Sequence, residues 1–169
     1  MDFLNLAKER YSCRKFSDKA VEQDKIDKII EAALAAPTAV NKQPFKIFQI
    51  GIDKIEKLKK ATPFTFDAPI FLAVGADKKS AYVRNFDNKN FAEIDATIVA
   101  THIMLEIQDM GLGTTWVGHF DETILKSEFP QMKDCSIVAI FPIGYPANDV
   151  TISPFHYNSK TKDDVCVKL

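Results

Sequence analysis

The stretch 91–110 constrains the fold more than any other part of the chain. Its periodicity predicts one long helix with apolar side chains around most of its circumference. One side carries Ile94, Ile98, Thr101 and Leu105, and much of the other is filled by Ala96, Val99, Ala100, Ile103 and Met104. A helix that is apolar nearly all round is buried. The segment therefore predicts either the centre of a domain or a subunit interface.

Shorter helices and strands alternate around this long helix. Aspartate caps and apolar periodicity predict helices at Phe3–Glu9 after Asp2, at about 24–36, at 54–61 after Asp53, and at Glu122–Glu128 after Asp121. Apolar runs predict strands at 45–50, Ile70–Ala76 and Ser136–Gly144. Residues 77–90 are polar and show no pattern, which indicates a surface segment. The alternation predicts one α/β or α+β domain spanning residues 1–169.

Charge and cysteine usage exclude several classes of protein. The formal net charge of −1 argues against nucleic acid as the main partner. The first five residues lack the layout of a signal peptide, and the longest apolar run, 137–143, is only about a strand long. Cys13, Cys135 and Cys166 are widely spaced, which is typical of reduced thiols. We therefore expect a cytoplasmic protein without membrane or nucleic-acid partners.

A basic stretch at residues 10–16 is hard to explain by packing alone. Arg10 and Arg14 flank Ser12, and two guanidinium groups with a hydroxyl between them suit a doubly charged phosphate. A solvated basic turn is the alternative, because short basic clusters are common on surfaces. Neighbouring cations would lower the pKa of the Cys13 thiol. The sequence offers no base for that thiol, so a catalytic role is disfavoured.

Two further segments carry polar or flexible chemistry. The first, from Pro37 to Phe45, is bounded by prolines and contains Asn41 and Gln43, although asparagine is also common in plain turns. The second, 111–118, has three glycines that would let backbone approach something flat or another chain, with Gly111 as a left-handed helix end. It is neither a Walker loop nor a Rossmann fingerprint. Together with the basic stretch, these segments suit a phosphorylated cofactor with a planar ring.

Metal and serine-nucleophile sites find no support in the sequence. His102, His119 and His156 are far apart and stand in no metal-binding motif, so we expect no metal site. A nucleophile elbow of the form G-x-S-x-G is absent as well. Catalysis by a protein side chain is therefore not predicted.

Four segments in this order resemble the nitroreductase family of flavin mononucleotide (FMN) proteins, over nearly the whole chain. Residues 10–16, RYSCRKF, are similar to the family's R-R-S-x-R-x-F, and residues 36–45, APTAVNKQPF, to A-P-S-x-x-N-x-Q-P-W. Asp95 resembles an acidic residue at the start of the family's long helix. Residues 111–118, GLGTTWVG, are similar to G-L-G-S-x-W-x-G.

The resemblance implies an α+β fold with a central, mostly antiparallel β-sheet flanked by helices. It also implies an intertwined homodimer with two FMN sites at the subunit interface. The cofactor-binding residues implied by it are Arg10, Tyr11, Ser12 and Arg14, then Pro37, Thr38, Ala39 and Asn41 from the other subunit, and Thr115, Trp116, Val117 and Gly118 beside the ring. Gln43 is a further cofactor-binding residue that the resemblance implies. A C-terminal arginine of the family is replaced here by Lys160 or Lys162, of which Lys160 is the candidate.

The implied activity is the transfer of electrons from NADH or NADPH through FMN to a small electron-poor acceptor, a nitroaromatic or a quinone, by ping-pong kinetics. No side chain would act as acid or nucleophile, and Arg14 would give electrostatic support by favouring the anionic reduced flavin. Three alternatives stay open on the same resemblance. They are a flavin-dependent dehalogenase, an enzyme that fragments its own flavin, and a non-catalytic FMN-binding protein.

Overall fold

The computed structural model describes residues 2–169, and its helices follow the sequence pattern closely. They are α1 (Phe3–Glu9), α2 (Gln23–Ala35), α3 (Ile55–Ala61), α4 (Ala92–Asp109), α5 (Glu122–Glu128) and α6 (Lys162–Val165). The predicted caps Asp2 and Asp121 are confirmed, because each carboxylate accepts a backbone N–H of the first helical turn. Asp53 was wrongly predicted as a cap. It lies inside a 3₁₀ turn, Ile52–Lys54, which enters α3 without a side-chain cap.

Within residues 2–169, six strands form two sheets. They are β1 (Phe45–Gly51), β2 (Ile70–Ala76), β3 (Val83–Arg84), β4 (Lys89–Asn90), β5 (Gly113–Thr114) and β6 (Ser136–Gly144). The main sheet has the order β1-β2-β6-β5, and every neighbouring pair is antiparallel. Strands β3 and β4 form a separate hairpin inside 77–90. The predicted surface segment is mostly exposed, as expected, and it contains a hairpin that the sequence did not predict.

The main sheet separates two apolar layers. Alternate β2 side chains such as Leu72 and Val74 join α2 and α4 on one face, whereas Phe71 and Ala73 join α3 and α5 on the other. This follows from the two-residue period of a strand and explains why the sequence of β2 is apolar without a break. The result is an α+β domain with helices on both faces of an antiparallel sheet, as predicted.

The sequence predicted that the long helix α4 lies either at the centre of a domain or in a subunit interface, and the structure decides this for only one of its faces. One face is buried in the domain, through Ala96, Val99, Ala100, Ile103 and Ile107. The opposite face is only partly covered, and Ile94 is exposed. Beyond the helix, Gly111 has a φ of 70°, which confirms the predicted left-handed end. No helix within residues 2–169 combines the length and apolarity needed to cross a membrane.

Candidate functional site

The basic stretch is fixed to the glycine-rich segment by backbone contacts. Ser12 and Thr114 form a parallel bridge, and the amide of Cys13 donates to the carbonyl oxygen of Thr114 over 2.8 Å. A Cβ on Gly113 would lie 2.7 Å from Cys13 Sγ, so only glycine allows this approach. The close backbone approach that the glycines allow therefore occurs between the glycine-rich segment and the basic stretch of the same chain. It holds Ser12 and Arg14 beside the end of the sheet.

Arg10, Tyr11, Ser12 and Arg14 line a cavity of about 300 Å³. Its opposite wall comes from the C-terminal region through Ile152, Ser153, Phe155 and His156. Among the described residues, Arg84 is the arginine with a carboxylate partner, Asp87, whereas Arg10 and Arg14 form no ion pair. Two guanidinium groups without counter-charges on one cavity wall favour binding of an anion. The stretch is therefore more than a solvated turn.

Arg14 also lines a second cavity of about 200 Å³. Thr115, Trp116, Val117 and Gly118 form one side of it, which places these four predicted residues beside the basic stretch. The other side consists of Phe64, Phe66 and His119. Since Arg14 belongs to both cavities, an anionic group in the first and a planar group in the second can be parts of one ligand.

The loop between Pro37 and Pro44 lies apart from both cavities. A 3₁₀ turn, Ala39–Asn41, brings the Ala39 amide to Asp95 Oδ1 at 3.0 Å. Val40, Asn41 and Gln43 all have positive φ values near 50°. Such backbone is uncommon outside glycine, and for a β-branched residue like Val40 it is a real outlier that functional sites often carry. Pro37, Thr38, Ala39, Asn41 and Gln43 line neither cavity.

Asp95 is the anchor of this loop. Its side chain is buried, and Oδ2 has no hydrogen-bond partner among the described residues. A buried carboxylate oxygen without a partner is unfavourable, so its retention needs a reason. Holding the strained Ala39–Asn41 turn in place is the role visible in the structure.

Lys160 does not join the site in this structure. It is exposed and lines neither the first nor the second cavity. No sequence signal pointed to the residues that do complete the walls, namely Phe64, Phe66, His119, Ser153, Phe155 and His156. No group of three or more His, Cys, Asp or Glu side chains in residues 2–169 is placed to hold a metal ion.

The pKa of the Cys13 thiol is shifted in the direction opposite to the one predicted from its basic neighbours. Its side chain is fully buried, and burial raises the pKa of the thiol. The Arg14 charge and the hydrogen bonds with Lys15 and Tyr11 lower this pKa, but they do not outweigh burial. A raised pKa leaves little thiolate, the reactive form. Cys13 is therefore a packing residue beneath the basic stretch.

The fold is an α+β domain in which a cavity with two arginines in its lining lies beside the edge strand β5. The chain belongs to the nitroreductase family: the family model described as "Nitroreductase family" matches residues 7–62 and 53–145.

Known proteins similar to this chain agree with that membership. A nitroreductase family protein of Clostridium difficile 630 is 34% identical with a TM-score of 0.90, and the alignment covers 99% of this chain and 98% of that one. A nitroreductase family protein of Clostridium novyi NT is 30% identical with a TM-score of 0.78, over 88% and 87%. The FMN reductase [NAD(P)H] of Bacillus subtilis is 28% identical over 81% of this chain and 63% of its own length.

Proposed function

We propose that this protein is an FMN-dependent oxidoreductase that transfers electrons from NADH or NADPH to a small electron-poor acceptor, a nitroaromatic or a quinone. The observation that carries the proposal is that Arg10 and Arg14, which form no ion pair within residues 2–169, line a cavity that continues beside Thr115–Gly118. The name of the Bacillus subtilis relative, which contains both FMN and NAD(P)H, supports this choice of cofactor and donor.

The residues present fit such a cofactor. Arg10 and Ser12 would hold the phosphate, since guanidinium forks and hydroxyls match phosphate oxygens. Arg14, between the two cavities, would lie where negative charge develops on the ring. When bound, FMN supplies the hydride chemistry. Donor and acceptor would occupy the same space in turn, which predicts ping-pong kinetics.

A colour and reduction assay tests the function. We expect the purified protein, supplied with FMN, to be yellow and to bleach when NADH or NADPH is added without oxygen. A nitroaromatic or quinone should restore the colour. A protein that is colourless after incubation with FMN and removal of the unbound FMN by gel filtration would refute the proposal. A yellow protein that neither nicotinamide reduces would support the non-catalytic alternative instead.

We also propose that the site is completed by a second copy of the chain. The strained loop 37–43 points to a function, yet it lines neither of the two cavities that Arg14 joins. A further cavity of about 690 Å³ lies between α1, α2 and α4, and its lining includes Phe3, Leu6, Ala35 and Leu105. Phe3 and Leu4 are 71% and 59% exposed, so α1 presents an apolar surface beside it. A dimer through this surface would cover the exposed face of α4.

The open edge of the sheet adds a second contact of this kind. Along an antiparallel strand, the backbone N–H and C=O groups of successive residues point alternately toward and away from the neighbouring strand. The Asp77 N–H donates to the Pro44 carbonyl oxygen, so in this register the backbone groups of Ile47 and Gln49 in β1 point away from β2. Residues 158–169 are exposed and end with Val165, Val167 and Leu169. An apolar terminal segment and an unpaired strand edge would complement each other between subunits, which would make the dimer intertwined.

Leu4→Glu tests the dimer. In sedimentation equilibrium, we expect the native protein to have twice the 19.0 kDa mass of one chain. The Leu4→Glu variant should be a monomer and should bind FMN more weakly. The reason is that a charge on this apolar surface disfavours burial against a second copy. Val83→Glu is the matched control, because Val83 is also exposed but lies in the separate hairpin. A native monomer that binds FMN fully would contradict the shared site.

A further inference from the structure

The wall of the first cavity that lies opposite the basic stretch contains a titratable side chain, that of His156. Within residues 151–169, Ser153 and His156 are half-buried, and all the other residues are exposed. Both Ser153 and His156 line the first cavity. The two residues of this terminal region that the rest of the domain partly covers are therefore polar residues placed to meet a ligand in that cavity.

A short 3₁₀ turn, Pro154–Tyr157, sets the direction of both side chains. The Ser153 hydroxyl accepts the Phe155 amide over 3.4 Å, and the Ser153 carbonyl oxygen accepts the His156 amide over 2.9 Å. Residues three apart in such a turn project on the same side, so Ser153 and His156 face the cavity together. The Tyr157 ring packs edge-to-face against the imidazole, with the two centroids 4.9 Å apart. The imidazole is thus held by its neighbours.

The chain that leads to this turn is tied to the basic stretch. The Ala147 amide donates to the carbonyl oxygen of Lys15 over 3.1 Å. The Lys15 ammonium group also forms an ion pair with Asp149. These contacts hold the segment before His156 against the segment after Arg14. The two walls of the first cavity are therefore parts of one packed unit.

The other charged or titratable groups in the lining of the first cavity are Arg10, Arg14 and Tyr11. Burial raises the pKa of the Tyr11 phenol, with smaller contributions from Cys13, so the phenol keeps its proton at neutral pH. Both guanidinium groups are permanent cations. Neighbouring cations disfavour a further positive charge, whereas an anion between them favours it. Histidine is the side chain that can gain such a charge near neutral pH.

We propose that His156 takes up a proton when the phosphate of FMN enters the first cavity, so that the protein binds its cofactor more tightly at lower pH. This rests on the proposed function. A charged imidazole would join Arg10 and Ser12 as a donor to the phosphate oxygens. Because the protonated form binds better, the affinity is highest on the acid side of neutrality and falls as the pH rises. Lys160, the cation suggested by the sequence, lines neither cavity.

The pH dependence of FMN affinity tests the proposal. Between about pH 6.5 and about pH 8.5 the phosphate is already mostly doubly charged, because its second ionisation lies near pH 6. Across this interval we expect the Kd of the native apoprotein for FMN to rise about tenfold, since one charge-assisted contact is lost. Quenching of flavin fluorescence measures this Kd. Riboflavin has the same ring without the phosphate, and its Kd should change by less than about twofold.

Two substitutions at one position separate charge from size. His156→Gln is neutral throughout, so it should bind FMN about tenfold more weakly than the native protein at the lower pH and lose the pH dependence. His156→Lys carries a fixed positive charge over the same interval, so its Kd should also be independent of pH but close to the native value at the lower pH. Lys160→Ala removes the rival cation and should behave like the native protein.

Calorimetry provides a readout that depends on neither fluorescence nor activity. Titrations with FMN near neutral pH, in two phosphate-free buffers of different ionisation enthalpy, should show proton uptake by the native protein and none by His156→Gln. A native Kd that does not depend on pH, or a dependence that survives in His156→Gln, would overturn the role of His156. A dependence lost in Lys160→Ala would assign the role to Lys160 instead. A native protein that binds no FMN would overturn the proposed function, and this role with it.

Discussion

Arg10→Ala should bind FMN about 100-fold more weakly than the native protein, the loss expected when one charge-assisted contact to a phosphate is removed. Arg10 lines the first cavity and has no carboxylate partner within residues 2–169. Its guanidinium is therefore available to the ligand, and no internal ion pair is broken by the change. Titration of the apoprotein with FMN, followed by the quenching of flavin fluorescence, measures the effect.

The chain provides a matched control for this experiment. Arg84 is its one other arginine apart from Arg14, and it forms an ion pair with Asp87 in the separate hairpin. Arg84→Ala changes net charge by the same amount and should leave FMN affinity within about twofold, since distant surface charges are screened by salt. Equal weakening in both variants would mean that net charge alone matters. Unchanged affinity in Arg10→Ala would remove the phosphate role.

Gly113→Ala should destabilise the apoprotein by about 2 kcal/mol, the scale of an overpacked core position. The added Cβ would lie 2.7 Å from Cys13 Sγ and 2.8 Å from Cys13 Cβ. Either strand β5 or the segment 12–14 must then move. A decrease of about 6 °C in Tm is expected for a chain of this size. FMN affinity should fall as well, because Ser12 and Arg14 flank Cys13, the residue that the added Cβ would push against.

A second glycine and a double variant identify the cause. A Cβ on Gly118 would find its nearest neighbours on Trp116 at 3.8 and 3.9 Å, so Gly118→Ala should change apoprotein stability little. Cys13→Gly removes the two nearest atoms that the Cβ added by Gly113→Ala would meet, and leaves only the looser contact with Pro146 Cγ at 3.2 Å. The cost of Gly113→Ala should therefore shrink in that background. A cost that stays the same would show that the contact with Cys13 is not responsible.

The sequence predicted most of the fold because its local signals agree with the tertiary structure. Asp2 and Asp121 precede helices and cap them, and the unbroken apolar run of β2 is buried on both faces. Asp53 was wrongly predicted as a helix cap because the chain begins to turn one residue earlier, at Ile52. The hairpin inside 77–90 went unpredicted because its strands have two residues each, too few for any period to appear.

For the candidate site as well, the sequence predicted the residues that lie in contiguous motifs and missed those that only the fold brings together. Contiguous motifs pointed to Arg10, Ser12 and Arg14, which line one cavity in the structure, and Arg14 also lines the cavity beside Thr115–Gly118. Phe64 and His119 could not be found in this way, because they are far apart in sequence and come together only in the folded chain, where both line the second cavity. The pKa of Cys13 was predicted in the wrong direction, since neighbouring charges can be read from a sequence whereas burial cannot.

The position of Arg14 between two cavities has a thermodynamic consequence. A cation that stabilises a reduced, anionic ring more than an oxidised, neutral one must also bind the reduced cofactor more tightly, because both paths around the cycle have the same total free energy. Retention of FMN and its midpoint potential are then coupled through one side chain. Under the proposed function, any change at Arg14 that shifts the potential must also change the ratio of the affinities for reduced and oxidised FMN.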